Sequence, residues 1–270
     1  MKLAEKVVPF YFGSPNKLLF GCYHEPTSER RRNCAVVVCQ PVGHEYINSH
    51  RALRQLAARL CDAGFPVLRF DYYGCGDSSG SREDGTILQW LEDISTAISE
   101  VRRRMAVVQV CLIGLRLGGT LAMNAAAERT DLESMILWDP VVSGKGYLHG
   151  LLRLQKEMLR FRPKPSTAQE PQGYLDVLGF PLSRSFRAEL EKIDLSPIAG
   201  GPAKNILVIQ SGQMSSEVNL EKHFCKTEAR LVEYQRFDAP QIWRPTSDGS
   251  LLVPSQILHS IVSWTNRLHQ

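Results

Sequence analysis

CLIGLRLGGTLA, residues 111–122, reads as a buried strand that breaks at a glycine-bounded turn and restarts as a helix with a small, apolar first turn. Units of this form hold the apex residue of the turn above the end of a parallel sheet, where the pattern G-x-S-x-G presents a nucleophilic serine. The apex here is Arg116. A guanidinium is a donor only and keeps its proton, so it cannot attack a carbonyl.

Outward from this turn the chain alternates. Toward the N-terminus, KVVPFYFG and KLLFGCYHEP flank the turn residues SPN and predict an antiparallel hairpin. Then come apolar CAVVVCQP, an amphipathic SHRALRQLAARLCDAG that stops at Gly64, and the strand FPVLRFDYYG. Strand, helix, strand implies parallel pairing. A second crossover helix is expected from Thr86 to Arg104, with Thr86 and Gln89 at capping-box spacing and Ile87, Trp90, Leu91, Ile94 and Ile98 on one face. VVQVCLIG, SMILWDP and NILVIQSG are near-continuous apolar runs, as strands covered on both faces require. RLVEYQRF and a helix from Pro254 to Leu268 close the series. The fold class is therefore α/β: a mostly parallel, doubly wound sheet with an N-terminal antiparallel hairpin, in a single domain over 1–270.

One stretch breaks the alternation. Residues 143–202 are too many for an ordinary connection and predict a helical cap inserted into the domain. Its first half, YLHGLLRLQKEMLRFRPK, gathers Leu148, Leu151, Leu152, Leu154, Met158 and Leu159 on one side, with Arg153, Lys156, Arg160, Arg162 and Lys164 mostly elsewhere. An amphipathic helix with a solvated basic face explains that pattern, and a lid whose basic rim attracts an anion explains it too. The second half, QGYLDVLGFPLSRSFRAELEKIDLS, reads as a turn followed by a helix.

Composition narrows the function classes. A net charge of +4 without basic runs interleaved with aromatics argues against nucleic acid as a partner. Seven cysteines, mostly inside apolar runs and without C-x-x-C spacing, favour free thiols in a reducing cytoplasm over disulfides or zinc. No run has the length of a membrane span, and MKLAEKVVPFYFG is too weakly apolar for a secretory signal. A cytoplasmic protein is expected, with a homodimer among the oligomeric states open to it. No G-K-[ST] follows the glycines, so they form no phosphate loop, and no cofactor or metal is expected.

The order of elements, with a cap between the strands ending at Asp139 and beginning at Asn205, resembles the α/β-hydrolase fold. PVGHEYINSHRALRQLAARLCDAGFPVLRFDYYGCGDSSG is similar to the oxyanion loop, helix, strand and turn of its members. More narrowly, IGLRLGG, ILWDPVVSGKGYL and IWRP resemble the exosortase A system-associated hydrolases, linked to exopolysaccharide gene clusters, whose elbow also carries arginine. The resemblance implies where a catalytic triad would stand. Its acid would follow NILVIQ, where SGQMSSE offers Glu217, and its histidine would follow RLVEYQRF, where DAPQIWRP places Trp243. The seven histidines lie elsewhere: His24, His44, His50, His149, His223, His259 and His269.

Serine, histidine and carboxylate work together because the hydroxyl must lose its proton as it attacks. Without them, Arg116 has a different problem. A helix N-terminus favours anions, so a guanidinium there requires a carboxylate or an anionic ligand. Asp139, at the end of SMILWDP, and Glu45, in the loop PVGHEY, are within the fold's reach. Either could neutralise Arg116, or Arg116 could grip the carboxylate or phosphate of a ligand. His44 is the candidate acid or base, though a loop histidine is more often a surface hydrogen-bonding residue. His44, Arg116 and Asp139 are thus the candidate chemical groups, and Glu45, Leu117, Trp138 and Trp243 the candidate ligand contacts. Cys75 reads as packing in the turn YYGCGDS, and Asp71 and Asp77 as its hydrogen-bonding residues. Three functions fit these residues. The first is a degenerate hydrolase that binds a small or acyl-bearing ligand; the second is an esterase, thioesterase or acyltransferase acting without serine; the third is a scaffold whose pocket has closed.

Overall fold

A computed structural model describes residues 6–26, 31–127, 129–160, 174–195, 201–212, 227–246 and 248–269. The hairpin opens the chain as β1 (Lys6–Ser14) and β2 (Lys17–Glu25), paired antiparallel through a tight turn. β3 (Cys34–Cys39), α1 (His44–Asp62) and β4 (Val67–Phe70) follow, then α2 (Ile87–Met105), β5 (Gln109–Leu115), α3 (Leu117–Ala126) and β6 (Ser134–Trp138). Thr86 caps α2 by accepting from the Gln89 amide at 3.1 Å. Helix α1 ends where Gly64 takes a positive φ of 95°.

Next come α4 (Gly144–Leu159), β7 (Tyr174–Val177), β8 (Phe180–Ser183) and α5 (Arg184–Lys192). The chain then rejoins the sheet through β9 (Asn205–Ser211) and β10 (Leu231–Phe237) and ends in α6 (Ser255–Leu268). Among the described residues the sheet runs β1-β2-β4-β3-β5-β6-β9-β10, antiparallel at its first three strands and parallel from β4 onward. β4 and β5 flank β3 on opposite sides, so strand order reverses there. Open α/β sheets place their ligand crevice outside the carboxyl ends of the strands at such a point.

Two apolar cores cover the sheet. One packs Ile94, Ile98 and Leu121 of α2 and α3 against Val37, Leu68 and Leu112. The other packs Leu53, Leu56, Ile257 and Ile261 of α1 and α6 against Val36, Ile113 and Ile136. The central strands alternate between these layers, which explains why their sequences are apolar at nearly every position. Cys34, Cys39, Cys61 and Cys111 are buried free thiols, and Cys22 and Cys75 are half-buried ones. Cys225 lies outside the described residues. No described helix is long and apolar enough to cross a membrane.

Two local expectations require correction. Helix α1 begins at His44, earlier than the periodicity suggests, so His44 and Glu45 occupy its first turn and not a loop. The segment between β6 and β9 is also not wholly helical. Where a turn is expected, Tyr174–Val177 and Phe180–Ser183 form a hairpin joined by Leu178 and Gly179, with φ of 57° and 85°. A two-residue loop with both φ values positive matches the right-handed twist of its strands. The Leu178 amide donates to Gln155 Oε1 of α4 at 3.0 Å, and the Gly179 amide to Asp176 Oδ1 at 3.1 Å. The hairpin and α5 dock on the main domain through Phe186, whose ring lies 5.0 Å from Trp90, and through Glu189, which accepts from the Ile87 amide at 2.7 Å.

Candidate active site

Arg116 occupies the apex of the turn between β5 and α3 with φ 55° and ψ −126°. A non-glycine residue with positive φ is strained, and such strain is held only where the surroundings fix it. Two backbone contacts do so here: the Arg116 amide donates to Trp138 O at 3.0 Å, and Arg116 O accepts from the Gly119 amide at 3.0 Å. The flanking glycines are a steric requirement. A Cβ on Gly114 would lie 2.3 Å from Gly119 Cα, and one on Gly118 would lie 2.3 Å from Cys39 O. The turn is therefore sharp and sterically tight, and its apex side chain is a cation.

That cation is compensated from α1. Arg116 Nε donates to Glu45 Oε1 at 3.1 Å, and Glu45 is only 2% exposed. The second Glu45 oxygen accepts from the Tyr147 hydroxyl at 2.9 Å. The Arg116 guanidinium lies 4.8 Å from the ring of Trp243 and 5.6 Å from that of Tyr147, within cation–π range of both. Arg116 Nη1 donates to the backbone oxygen of Asp139 at 3.2 Å, while Nη2 has no hydrogen-bond partner among the described residues. Burial alone would lower the pKa of Arg116. Glu45 and Asp139 outweigh it, and the guanidinium stays cationic.

Of the two carboxylates within reach of the apex, then, Glu45 forms the ion pair and Asp139 does not. The Asp139 carboxylate turns to the end of β9, accepting from the Ser211 amide at 3.0 Å and from Ser211 Oγ at 2.7 Å. Burial lifts its pKa to about 6 against the donors of Ser211 and the charge of Arg116. A carboxyl raised on folding binds its proton more tightly in the folded state. Its contribution to stability is present below about pH 4 and is lost as the pH rises to about 6. Asp139→Asn is expected to remove up to about 2 kcal/mol of that fall, at roughly 1.4 kcal/mol per pKa unit. Asp93, also lifted by burial to about 6, keeps its own share. Urea unfolding at pH 4.5 and pH 7 measures the difference, and an unchanged gap between the two would refute this assignment.

The remaining candidates separate. His44 and Leu117 line an apolar pocket of about 80 Å³ walled by Trp90, Phe180, Phe186 and Leu190. His44 also borders a polar pocket of about 140 Å³ with Glu45, Arg116, Trp243, Arg153 and Arg244. The two share His44, Tyr147 and Leu151, so they adjoin over the elbow. Burial lowers the pKa of His44, with Glu45 opposing and Arg116 assisting. Trp243 stands after β10 and brings its ring to 4.8 Å from the Arg116 guanidinium. Trp138 is not a pocket wall: it is fully buried beneath the elbow, in the core with Ile136 and Ile209. Glu217 and His223 lie outside the described residues.

Tyr147 and Ser211 escape a reading of the sequence. Tyr147 falls within ILWDPVVSGKGYL without a role of its own there, and Ser211 matters only because β9 ends beside β6. Among the described residues, no three His, Cys, Asp or Glu side chains are grouped to hold a metal.

A family model described as serine aminopeptidase, S33 (Hydrolase_4) matches residues 33–176. The human mitochondrial palmitoyl-protein thioesterase ABHD10 is 32% identical over 87 residues, 32% of this chain and 26% of that protein. The rat monoglyceride lipase is 27% identical over 137 residues, 50% of this chain and 43% of its own. The chain thus spans about a quarter to less than half the length of these curated relatives. Among solved structures, the esterase Est1E of Butyrivibrio proteoclasticus with ferulic acid bound superposes at a TM-score of 0.67 and 17% identity, covering 96% of this chain and 98% of that one. The mouse alpha/beta hydrolase domain-containing protein 10 does so at 0.58 and 17%, covering 97% and 98%. At these identities the likeness establishes a shared α/β-hydrolase fold.

Proposed function

Since the chain belongs to the serine aminopeptidase S33 family, within the α/β-hydrolase superfamily, and holds a cation at its elbow, we propose that it binds an anionic, acyl-bearing ligand without hydrolysing it through a serine. The observation that carries this reading is the state of Arg116. One edge of its guanidinium is fixed by Glu45, the ring of Trp243 lies 4.8 Å away, and Arg116 lines a polar pocket with Nη2 unpaired among the described residues. A fixed guanidinium with an unengaged donor is suited to a carboxylate or phosphate. Arg153 and Arg244 add positive charge to the same pocket, which Glu45 and Glu157 also line, and the adjoining pocket has the apolar walls that a hydrocarbon group would require.

A polar pocket beside an apolar one argues against the scaffold reading, which requires Arg116 sealed without volume. The narrower resemblance to the exosortase A system-associated hydrolases is consistent with this function, because their elbow also carries arginine.

The competing reading is hydrolysis by a route that lacks serine, with His44 activating water and the elbow amides holding the oxyanion. Leu117 favours it to this extent: as the first residue of α3, its amide has no intrahelical acceptor. Turnover of p-nitrophenyl esters and acyl thioesters separates the two. The wild type, Arg116→Ser and His44→Ala are all expected to be inert, because Trp243 stands where a general base would be needed. Turnover by the wild type that is lost in His44→Ala would establish the competing reading, and a burst from Arg116→Ser would reveal a base elsewhere.

A further inference from the structure

Arg69 presents a second buried cation, away from the elbow and in a different state of compensation. It lies on β4 in register with Cys22 of β2 and is 7% exposed. Its Nε donates to Nε2 of His24 at 3.0 Å, which makes that ring nitrogen an acceptor and the imidazole neutral. A neutral ring orients the guanidinium but does not balance its charge. The other four of its five N–H donors have no hydrogen-bond partner among the described residues, and no described carboxylate lies within 4.0 Å.

Asp71 acts on Arg69 from farther away and is already engaged. Its Oδ1 accepts from the Tyr46 hydroxyl at 3.2 Å and from Gln40 Nε2 at 3.3 Å, and its Oδ2 accepts from the Asp77 amide at 3.1 Å. Helix α1, packed over this part of the sheet, adds His50 and Arg54, both close enough to influence the Arg69 charge or be influenced by it. His50 Nδ1 is buried without a partner. Buried charges in proteins are ordinarily paired, because an isolated one costs several kcal/mol. Here a largely buried guanidinium whose unpaired N–H groups reach the surface, an imidazole nitrogen without a partner and an exposed arginine lie close together. They lack an anion.

We propose that Arg69, His50 and Arg54 form a second anion-binding site, between the paired strands β2 and β4 and helix α1, that takes a small oxyanion such as phosphate or a carboxylate. The fork of Arg69, oriented by His24, supplies paired donors to two oxygens, and His50 supplies a third from α1. The charged and titratable groups around His50 are Arg54, Arg69 and Asp71, with Tyr46 against its ring. Cys22, His24 and Asp77 complete the patch. Burial and the charge of Arg69 together hold the imidazole pKa below its ordinary value, and a bound anion acts in the opposite direction.

The test is imidazole NMR of the full chain, following His50 while inorganic phosphate and, separately, acetate are added. A saturable shift of the His50 signals and a rise in its pKa are expected. Arg69→Met should weaken the effect by about tenfold or more, as loss of a charge-assisted pair does. Arg54→Gln, on an exposed side chain that leaves the fold intact, should weaken it about threefold, and it decides the matter if Arg69→Met does not fold. Arg116→Met should leave it unchanged, which separates this site from the elbow. A response to both ions assigns a general oxyanion site, and a response to phosphate alone a phosphoryl site. No saturable shift up to about 50 mM, far above a millimolar dissociation constant, would overturn the proposal. So would a shift undiminished in both Arg69→Met and Arg54→Gln.

Discussion

Glu45→Gln is expected to lower the unfolding free energy by about 3 kcal/mol. Removing one partner of a buried ion pair costs roughly 3–5 kcal/mol, because the survivor is left as an uncompensated charge. Arg116 is 21% exposed at its side chain, so water relieves part of that cost and the lower end applies. Glutamine keeps the volume and still offers an oxygen to Tyr147, so the loss reports charge and not packing. Urea unfolding of Glu45→Gln, Arg116→Met and the double variant measures it. The double variant should be more stable than the sum of the single losses by about 2 kcal/mol, the signature of groups that compensate one another. Strict additivity would mean that Glu45 is not the counter-ion of Arg116.

Affinity should respond as sharply. With dodecanoate as probe, Arg116→Met is expected to weaken binding by roughly 10- to 150-fold, the equivalent of about 1.5–3 kcal/mol for a hydrogen bond to a charged group. Glu45→Gln should have the opposite sign. It leaves the guanidinium without its internal anion, so the carboxylate of the probe inherits that role and binds more tightly while the free protein is less stable. A general loss of structure lowers both quantities together, so the opposed signs identify Glu45 as a competitor for Arg116. Calorimetric titration of the two single variants is sufficient to see it.

The fold was legible because burial on both faces leaves a plain record. Runs such as CAVVVCQP and NILVIQSG are nearly continuous in apolar residues, and Thr86 and Gly64 mark helix ends by chemistry that does not depend on distant partners. The sharp turn at Arg116 was legible from its glycine pattern, though the structure shows Gly118 demanded by Cys39 of β3 as well as Gly114 by nearby Gly119. The hairpin between α4 and α5 was hidden because Leu178 adopts a positive φ that leucine rarely takes, in a turn held by Gln155 from another element. Which carboxylate would meet Arg116 was also beyond local reasoning. Glu45 and Asp139 are both near the apex in topology, and the choice falls to Ser211, which draws the Asp139 carboxylate away. Trp138 and Trp243 look alike as sequence; only the sheet order puts one beneath the elbow and the other against its cation.

The central claim is that Arg116 has exchanged attack on a carbonyl for capture of an anion. Titration of the wild type with dodecanoate and with its methyl ester tests it most directly, because the two share a chain and differ in the charge that Arg116 would meet. Dodecanoate should bind at least about tenfold more tightly than the ester, a difference of roughly 1.4 kcal/mol or more, with the ester recovered intact. Equal affinity for acid and ester, or release of methanol from the ester, would contradict it.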